Sequence, residues 1–246
     1  MPMVWIRASF RRLTAAILAV VLAAALGGCV PGPKPPAPVS PDSGYRTVLE
    51  QFGRRLLDDG ASAVLIQIRV GGDEWSAAYG VRNLNSPSRA EITDPVHIGG
   101  VTKSMVAVCV LKLAEEGRLE LDAPVSNYLP EFNKVMHPPG PVTVRQLLQH
   151  RSGMPSVDGP LFDPATVRKA LTTKVSLADL LAMAGRISWQ AKLAQGFEYS
   201  NSNYIALALI VERLTGRRIG EVISTDIIEP LGLSETLMTA AGPAPS

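Results

Sequence analysis

The sequence is poor in the residues that build disulfide frameworks and metal sites. Its 246 residues include two cysteines, Cys29 and Cys109, and three histidines. So few thiols and imidazoles, scattered along the chain, exclude a disulfide scaffold and a zinc-type cluster. We therefore expect no metal and no other cofactor, and we expect Cys109, within an apolar helical run, to be a small buried thiol.

The chain also lacks a cluster of basic residues. Residues 1–28 contain Arg7, Arg11 and Arg12 and no acidic residue, which leaves 21 basic and 22 acidic residues, a net charge of −1, in the remainder. Binding to nucleic acid depends on clustered Lys and Arg. The charge pattern therefore predicts no nucleic-acid partner, and the length with 46% hydrophobic residues predicts one or two domains with a real core.

No apolar run is long enough for a stable membrane span. The longest, residues 13–26, is shorter than the roughly 20 residues that a transmembrane helix needs. A basic start followed by a short apolar stretch is typical of a secretory signal. The stretch ends in Leu26-Gly27-Gly28-Cys29, which resembles the lipobox of bacterial lipoproteins, whose cysteine is lipidated. The alternative is cleavage by the ordinary signal peptidase, with Cys29 left free.

A proline-rich segment follows the lipobox. Residues 30–41 contain six prolines, a composition that favours extended polyproline II and would place the body roughly 35–40 Å from its anchor. We expect a protein of the cell membrane, anchored by lipid on the extracytoplasmic side. The predicted organisation is a signal peptide at 1–28, a lipid-anchored linker at 29–41, a partial domain at 42–238 and a disordered tail at 239–246.

The body of the chain shows the periodicities of helices and of one hairpin. Residues 43–58 predict an amphipathic helix with Val48, Leu49, Phe52, Leu56 and Leu57 on its apolar face. Alternating residues at 63–70 and 75–81 predict two antiparallel strands. Residues 103–116 predict a helix that is apolar nearly all round and central to the core. Further helices are expected at 142–150, 165–171, 177–184, 203–215 and 219–228.

Four ordered blocks resemble one known family. Residues 96–132, 142–155, 197–216 and 227–236 are similar, in order and spacing, to the serine β-lactamase and penicillin-recognising D,D-peptidase family, especially its class C and esterase-like branch. The resemblance implies an α+β fold of the β-lactamase/transpeptidase type. This chain would supply the helix, the hairpin and the helical region, while the later strands of the sheet would be absent.

The first motif of that family is Ser-x-x-Lys, and here it is incomplete. Residues three apart share a helix face, so the serine hydroxyl and the lysine amine of this motif meet. Lys103 is in place, but Gly100 stands where the resemblance puts the nucleophilic serine. Because glycine has no side-chain oxygen, we expect no acyl-enzyme at this position.

The second motif, Tyr-x-Asn, is present as Tyr199-Ser200-Asn201. The resemblance implies that Tyr199 moves a proton and that Asn201 holds a carbonyl. The third motif of the family has no counterpart before Ser246. The resemblance also implies an oxyanion hole with two backbone N–H donors, and the second of these donors has no counterpart either. We therefore expect an incomplete domain with a loss of rate beyond the roughly 10²–10³ that one oxyanion donor contributes.

Structural roles are the alternative for each of these residues. Lys103 would then be a helix-start cation bound to carbonyls, Tyr199 and Asn201 would pin a loop, and Gly99-Gly100 would only form a tight turn. We interpret His97 and His150 as structural histidines. As substitute nucleophiles, Ser104 would face away from Lys103, Ser152 would be structural, and Ser200 would point out of the cleft.

Three functions remain open from the sequence. The first is a lipid-anchored family member that hydrolyses nothing and at most binds a peptidoglycan peptide or another small amide or ester. The second is a weak esterase or amidase that uses water with Lys103 or Tyr199 as the base. The third is a truncated gene product without function. In each, an unpaired edge of the sheet is expected to promote self-association.

Overall fold

The computed structural model describes residues 44–163, 165–166, 175–189 and 196–238. The chain forms two compact units, residues 1–96 and 97–246. The expected signal, lipid site and tether, most of the expected helix at 165–171, and the tail lie outside the described residues. Among the helices that are described, none has the length and apolar content needed to cross a bilayer.

In its described residues, the first unit contains a helix and a small antiparallel sheet. Helix α1 (Tyr45–Asp58) precedes strands β1 (Ala63–Val70), β2 (Asp73–Asn83) and β3 (Ser86–Arg89), paired in that order. The predicted helix and hairpin are confirmed. The expectation of only two strands is wrong, because β3 pairs with β2 after a short turn. Apolar and polar residues do not alternate in β3, so the side-chain pattern does not predict this strand. It forms through backbone pairing with β2.

The apolar face predicted for α1 also needs correction. Val48 and Phe52 are more than half exposed, whereas Gly53 is the buried residue of this helix. A Cβ atom at Gly53 would lie 2.8 Å from the ring of Tyr79 on β2. The helix therefore approaches the sheet along its Gly53 side, and this close approach turns Val48 and Phe52 toward solvent.

The second unit is helical and contains most of the core. A 3₁₀ turn (Gly99–Val101) leads into α2 (Thr102–Glu115), which packs against the long α7 (Asn201–Thr215). On α2, Cys109 and Val110 are buried while Val108 and Leu111 are about half exposed, so this helix is not apolar-buried all round as predicted. The described residues also form the α-helices α3 (Phe132–Met136), α4 (Val144–Leu148), α5 (Asp158–Leu161), α6 (Leu177–Ala184) and α8 (Ile219–Ile223).

Capping side chains decide where the shorter helices begin. Ser176 accepts a hydrogen bond from the backbone N–H of Asp179, whose side chain accepts from the backbone N–H of Ser176. This capping box starts α6 where the sequence predicts it.

At the other end of the unit, the expected helix 219–228 is two elements, because α8 widens into a π-helical segment (Ser224–Ile228). Asp226 in that segment forms an ion pair with Lys112 of α2, with 2.9 Å between nitrogen and oxygen.

Helices and a small antiparallel sheet together confirm the α+β class. The site residues named from the sequence, residues 100, 103, 199 and 201, all belong to the second unit. That unit presents them at the starts of its two longest helices, α2 and α7.

Candidate active site

Gly100 lies in the turn that leads into α2, and its backbone does not require glycine. Gly99 has a positive φ of 51°, whereas the φ of Gly100 is not positive. A Cβ atom at position 100 would lie 3.6 Å from Nζ of Lys103, and apart from its chain neighbours and the backbone of its own helix no other described atom lies within 4 Å. The tight-turn explanation therefore accounts for Gly99 and leaves Gly100 unexplained.

Lys103 is half-buried on the first turn of α2, beside position 100, as the i, i+3 spacing predicts. Its ammonium group lies 5.5 Å from the centre of the Tyr199 ring. In the described part of the chain, the Lys103 ammonium makes no hydrogen bond and no ion pair. The alternative of a cation bound to helix-start carbonyls is therefore not what the structure shows.

Tyr199 and Asn201 meet through their side chains at the start of α7. The Tyr199 hydroxyl donates to Oδ1 of Asn201 over 3.1 Å, and the Tyr199 side chain is half exposed. The Asn201 amide donates through Nδ2 to Oδ1 of Asp158 over 2.7 Å. Asn201 thus has its carbonyl oxygen directed to the tyrosine and its amino group directed to a carboxylate.

Asp158 is a site residue that sequence reasoning missed. It begins α5, and its second carboxylate oxygen accepts from the hydroxyl of Ser156 over 2.8 Å. The Ser156 hydroxyl in turn accepts from the backbone N–H of Asn201 over 3.1 Å. Together these bonds fix the orientation of the Asn201 amide, and the only sequence signal was an acidic residue at a helix start.

His150 packs against the ring of Tyr199. The two rings are stacked with 4.5 Å between centres, and His150 has a positive φ of 53° at the end of α4. Its Nδ1 accepts from the backbone N–H of Ser200 over 3.3 Å and lies 3.1 Å from Nδ2 of Asn203. Because Oδ1 of Asn203 accepts from Ser152, the amino group of Asn203 faces the imidazole.

These contacts assign the state of the His150 imidazole. Two donors directed at Nδ1 require that nitrogen to be unprotonated, so the neutral ring carries its proton on Nε2. Burial, and second the positive charge of Lys103, lower the pKa of His150 below its ordinary value. His150 therefore has the structural role that the sequence suggested.

None of the described substitute nucleophiles hydrogen-bonds to Lys103. The Ser104 hydroxyl donates to the carbonyl of Val101, and the buried Ser152 hydroxyl is held between Asn203 and the backbone N–H of Met154. Ser200 is buried, and in the described structure its hydroxyl has no hydrogen-bond partner. Burial raises the pKa of Cys109 to about 11, so this thiol stays protonated at neutral pH.

The described structure places the Lys103 ammonium beside position 100, and Gly100 itself offers no oxygen or sulfur nucleophile. A lysine, a tyrosine hydroxyl and a fixed asparagine amide can bind and orient a polar ligand. In the described residues, no group of His, Cys, Asp and Glu is placed to hold a metal ion.

Known proteins similar to this chain come from one family. The family model described as Beta-lactamase matches residues 47–246. Protein flp of Staphylococcus aureus (strain N315) is 30% identical over 176 residues, which are 71% of this chain and 34% of that protein. Penicillin-binding protein 4* of Bacillus subtilis (strain 168) is 29% identical over 68% of this chain and 36% of its own length.

Solved structures agree with the sequence comparisons. A D-stereospecific amidohydrolase from Streptomyces sp. superposes with a TM-score of 0.63 at 29% identity, over 76% of this chain and 55% of that protein. This chain spans about a third of the length of the curated relatives named above. With most of its length matched, from the first helix through both motif regions, the chain belongs to the beta-lactamase family.

Proposed function

We propose that this protein is a lipid-anchored, extracytoplasmic member of the family that binds an amide or ester ligand without forming an acyl-enzyme. The observation that carries the proposal is Gly100, which offers no side-chain oxygen beside Lys103. An acyl-enzyme needs an ester or thioester bond to a side chain. In the described structure no serine hydrogen-bonds to the Lys103 ammonium, and Cys109 is buried in α2.

The ligand class follows from the groups that remain and from the relatives. The relatives are named for binding penicillin and for D-stereospecific amide hydrolysis. Tyr199 and Asn201 keep the second-motif positions and are joined by a hydrogen bond. A peptidoglycan peptide or another small amide or ester is the ligand that these features favour.

The anchoring part of the proposal rests on the start of the sequence. A basic segment, a 14-residue apolar stretch and Leu26-Gly27-Gly28-Cys29 precede the proline-rich tether. Membrane binding would therefore run through lipid on Cys29, with the family domain held outside the cytoplasm.

A second candidate is slow hydrolysis by water. The space beside Gly100 is open and adjoins the ammonium of Lys103, so a water molecule could reach the position of the absent hydroxyl. Lys103 or Tyr199 would act as the base. Because no covalent intermediate forms, this candidate shares the expected absence of an acyl-enzyme and differs in turnover.

Mass spectrometry of the full chain after incubation with a labelled penicillin tests the proposal. We expect no adduct on the wild type and no turnover of a chromogenic cephalosporin. Gly100→Ala is the matched control, because it fills the position without an oxygen and leaves both results unchanged. A stoichiometric adduct on the wild type would overturn the proposal, whereas slow ester turnover lost in Lys103→Met or Tyr199→Phe would establish the second candidate.

A further inference from the structure

In the described structure, the ammonium of Lys103 makes no hydrogen bond and no ion pair. Its nitrogen lies 5.5 Å from the centre of the Tyr199 ring, a cation–π contact that is weaker than a hydrogen bond to a charged partner. The carboxylate of Asp158 accepts hydrogen bonds from Asn201 and Ser156, and in the described structure it receives none from Lys103. Lys103 therefore keeps hydrogen-bond donors available for an external acceptor.

Position 100 provides the space for such an acceptor. A carbon atom placed there would lie 3.6 Å from Nζ of Lys103 and, apart from its chain neighbours and the backbone of its own helix, would meet no other described atom within 4 Å. A charged oxygen accepts from an ammonium at about 2.7–2.9 Å, so an oxygen fits between that point and the nitrogen. Gly100 is exposed, so a small ligand reaches this space from solvent.

The charges around the site select the type of ligand. Lys103 supplies one positive charge, which matches a monoanion. A dianion such as phosphate would bring a second negative charge toward the cluster that already contains Asp158. A carboxylate has one charge and two acceptor oxygens, and therefore suits a single ammonium.

We propose that Lys103 binds the carboxylate of a small organic acid in the space that Gly100 leaves open. This site rests on the proposed function, since a serine hydroxyl at position 100 would occupy the same space. The bound group is held without a covalent bond, so the ligand exchanges freely with solvent. The ligand class thereby becomes an amide or ester compound, or its hydrolysis product, that presents a free carboxylate.

His150 provides a local measurement of charge at the site. The Lys103 charge lowers the pKa of His150, and an anion bound to Lys103 opposes that effect. In full-length protein carrying His97→Gln and His137→Asn, which leave one histidine, NMR follows the imidazole proton resonance with pH. Replacing chloride by acetate at constant ionic strength is expected to raise the pKa of His150 saturably, and neutral acetamide is expected to have no effect.

Variants at Lys103 and Gly100 test whether the response to acetate comes from binding at this site. Lys103→Met should raise the pKa of His150 without acetate and abolish the response to acetate, whereas Lys103→Arg keeps the charge and should retain the response. Gly100→Ser should weaken acetate binding roughly tenfold or more, about 1.4 kcal/mol. A response that persists in Lys103→Met, an equal response to acetamide, or no response in the wild type would overturn the site. The penicillin-adduct measurement is independent, so failure of this site and failure of the proposed function give different results.

Discussion

At the scale of single residues, His150 couples the site to the stability of the second unit. Its pKa is lowered from 6.5 by burial and by the charge of Lys103, and its Nδ1 accepts from backbone and side-chain N–H groups. The folded protein therefore favours the neutral ring. Between the folded pKa and 6.5 the unfolded chain binds more protons at this histidine, so the free energy of unfolding rises with pH in that window.

We expect the wild type to lose stability as the pH falls through this window, and His150→Asn to lose less. Asparagine tolerates the left-handed backbone of position 150 and offers no group that titrates there. Denaturant unfolding at a series of pH values measures the slope, which is independent of any constant loss caused by the substitution. His97→Gln removes an exposed histidine and is the control. An unchanged slope in His150→Asn would contradict the assignment of the neutral imidazole.

At the scale of elements, a glycine sets how closely α3 and α6 approach. Gly185 ends α6, and a Cβ atom there would overlap the carbonyl oxygen of Val135 on α3. Its φ of −64° is one that alanine adopts readily. The cost of Gly185→Ala therefore comes from packing alone, and we expect it to reduce the free energy of unfolding by about 1–3 kcal/mol.

Gly220 offers the matched comparison for this measurement. It lies in α8 without a positive φ, and among the described atoms outside its chain neighbours and its own helix backbone an added Cβ would come no closer than 3.5 Å, to Cβ of Met238. Gly220→Ala is expected to be neutral or to stabilise by about 0.4–1 kcal/mol, because it restricts the unfolded chain. Denaturant unfolding of both variants gives the difference. Equal effects of the two substitutions would show that α3 and α6 do not depend on backbone contact.

Local patterns predict elements better than they predict contacts between elements. Strand β1 could be placed to the residue because Ile66, Ile68 and Val70 alternate with the exposed polar residues Gln67 and Arg69. The outward turn of Phe52 could not, because it depends on how closely α1 approaches β2 at Gly53. The alternation of apolar and polar residues in a strand can be read from consecutive residues. The close approach of a helix to a sheet depends on side chains that are far away in the sequence.

The candidate site divides in the same way. The neighbourhood of Lys103 and position 100 follows from helical spacing, and the structure brings them together. The bond from Asn201 to Asp158 joins residues 43 positions apart. It depends on how α5 is placed against the start of α7, which no local pattern specifies.

At the scale of the whole molecule, the proposed anchor gives the two cysteines different roles. Cys29 follows the apolar stretch, whereas Cys109 is buried in α2. Because two acyl chains hold a protein stably while one binds reversibly, we expect Cys29→Ala to move the protein from the membrane fraction to the soluble or secreted fraction. Cys109→Ala should stay with the membrane. Fractionation after a salt wash measures both, and membrane-bound Cys29→Ala would contradict lipid anchoring.

The backbone at Gly100 has a genetic consequence. A residue that the fold does not require to be glycine, with open space where its side chain would be, can be replaced without rebuilding its surroundings. Glycine codons GGT and GGC become the serine codons AGT and AGC by a single nucleotide substitution. For a gene that uses either codon, the hydroxyl that this protein lacks is one point mutation away. The backbone and the space at position 100 accommodate either residue.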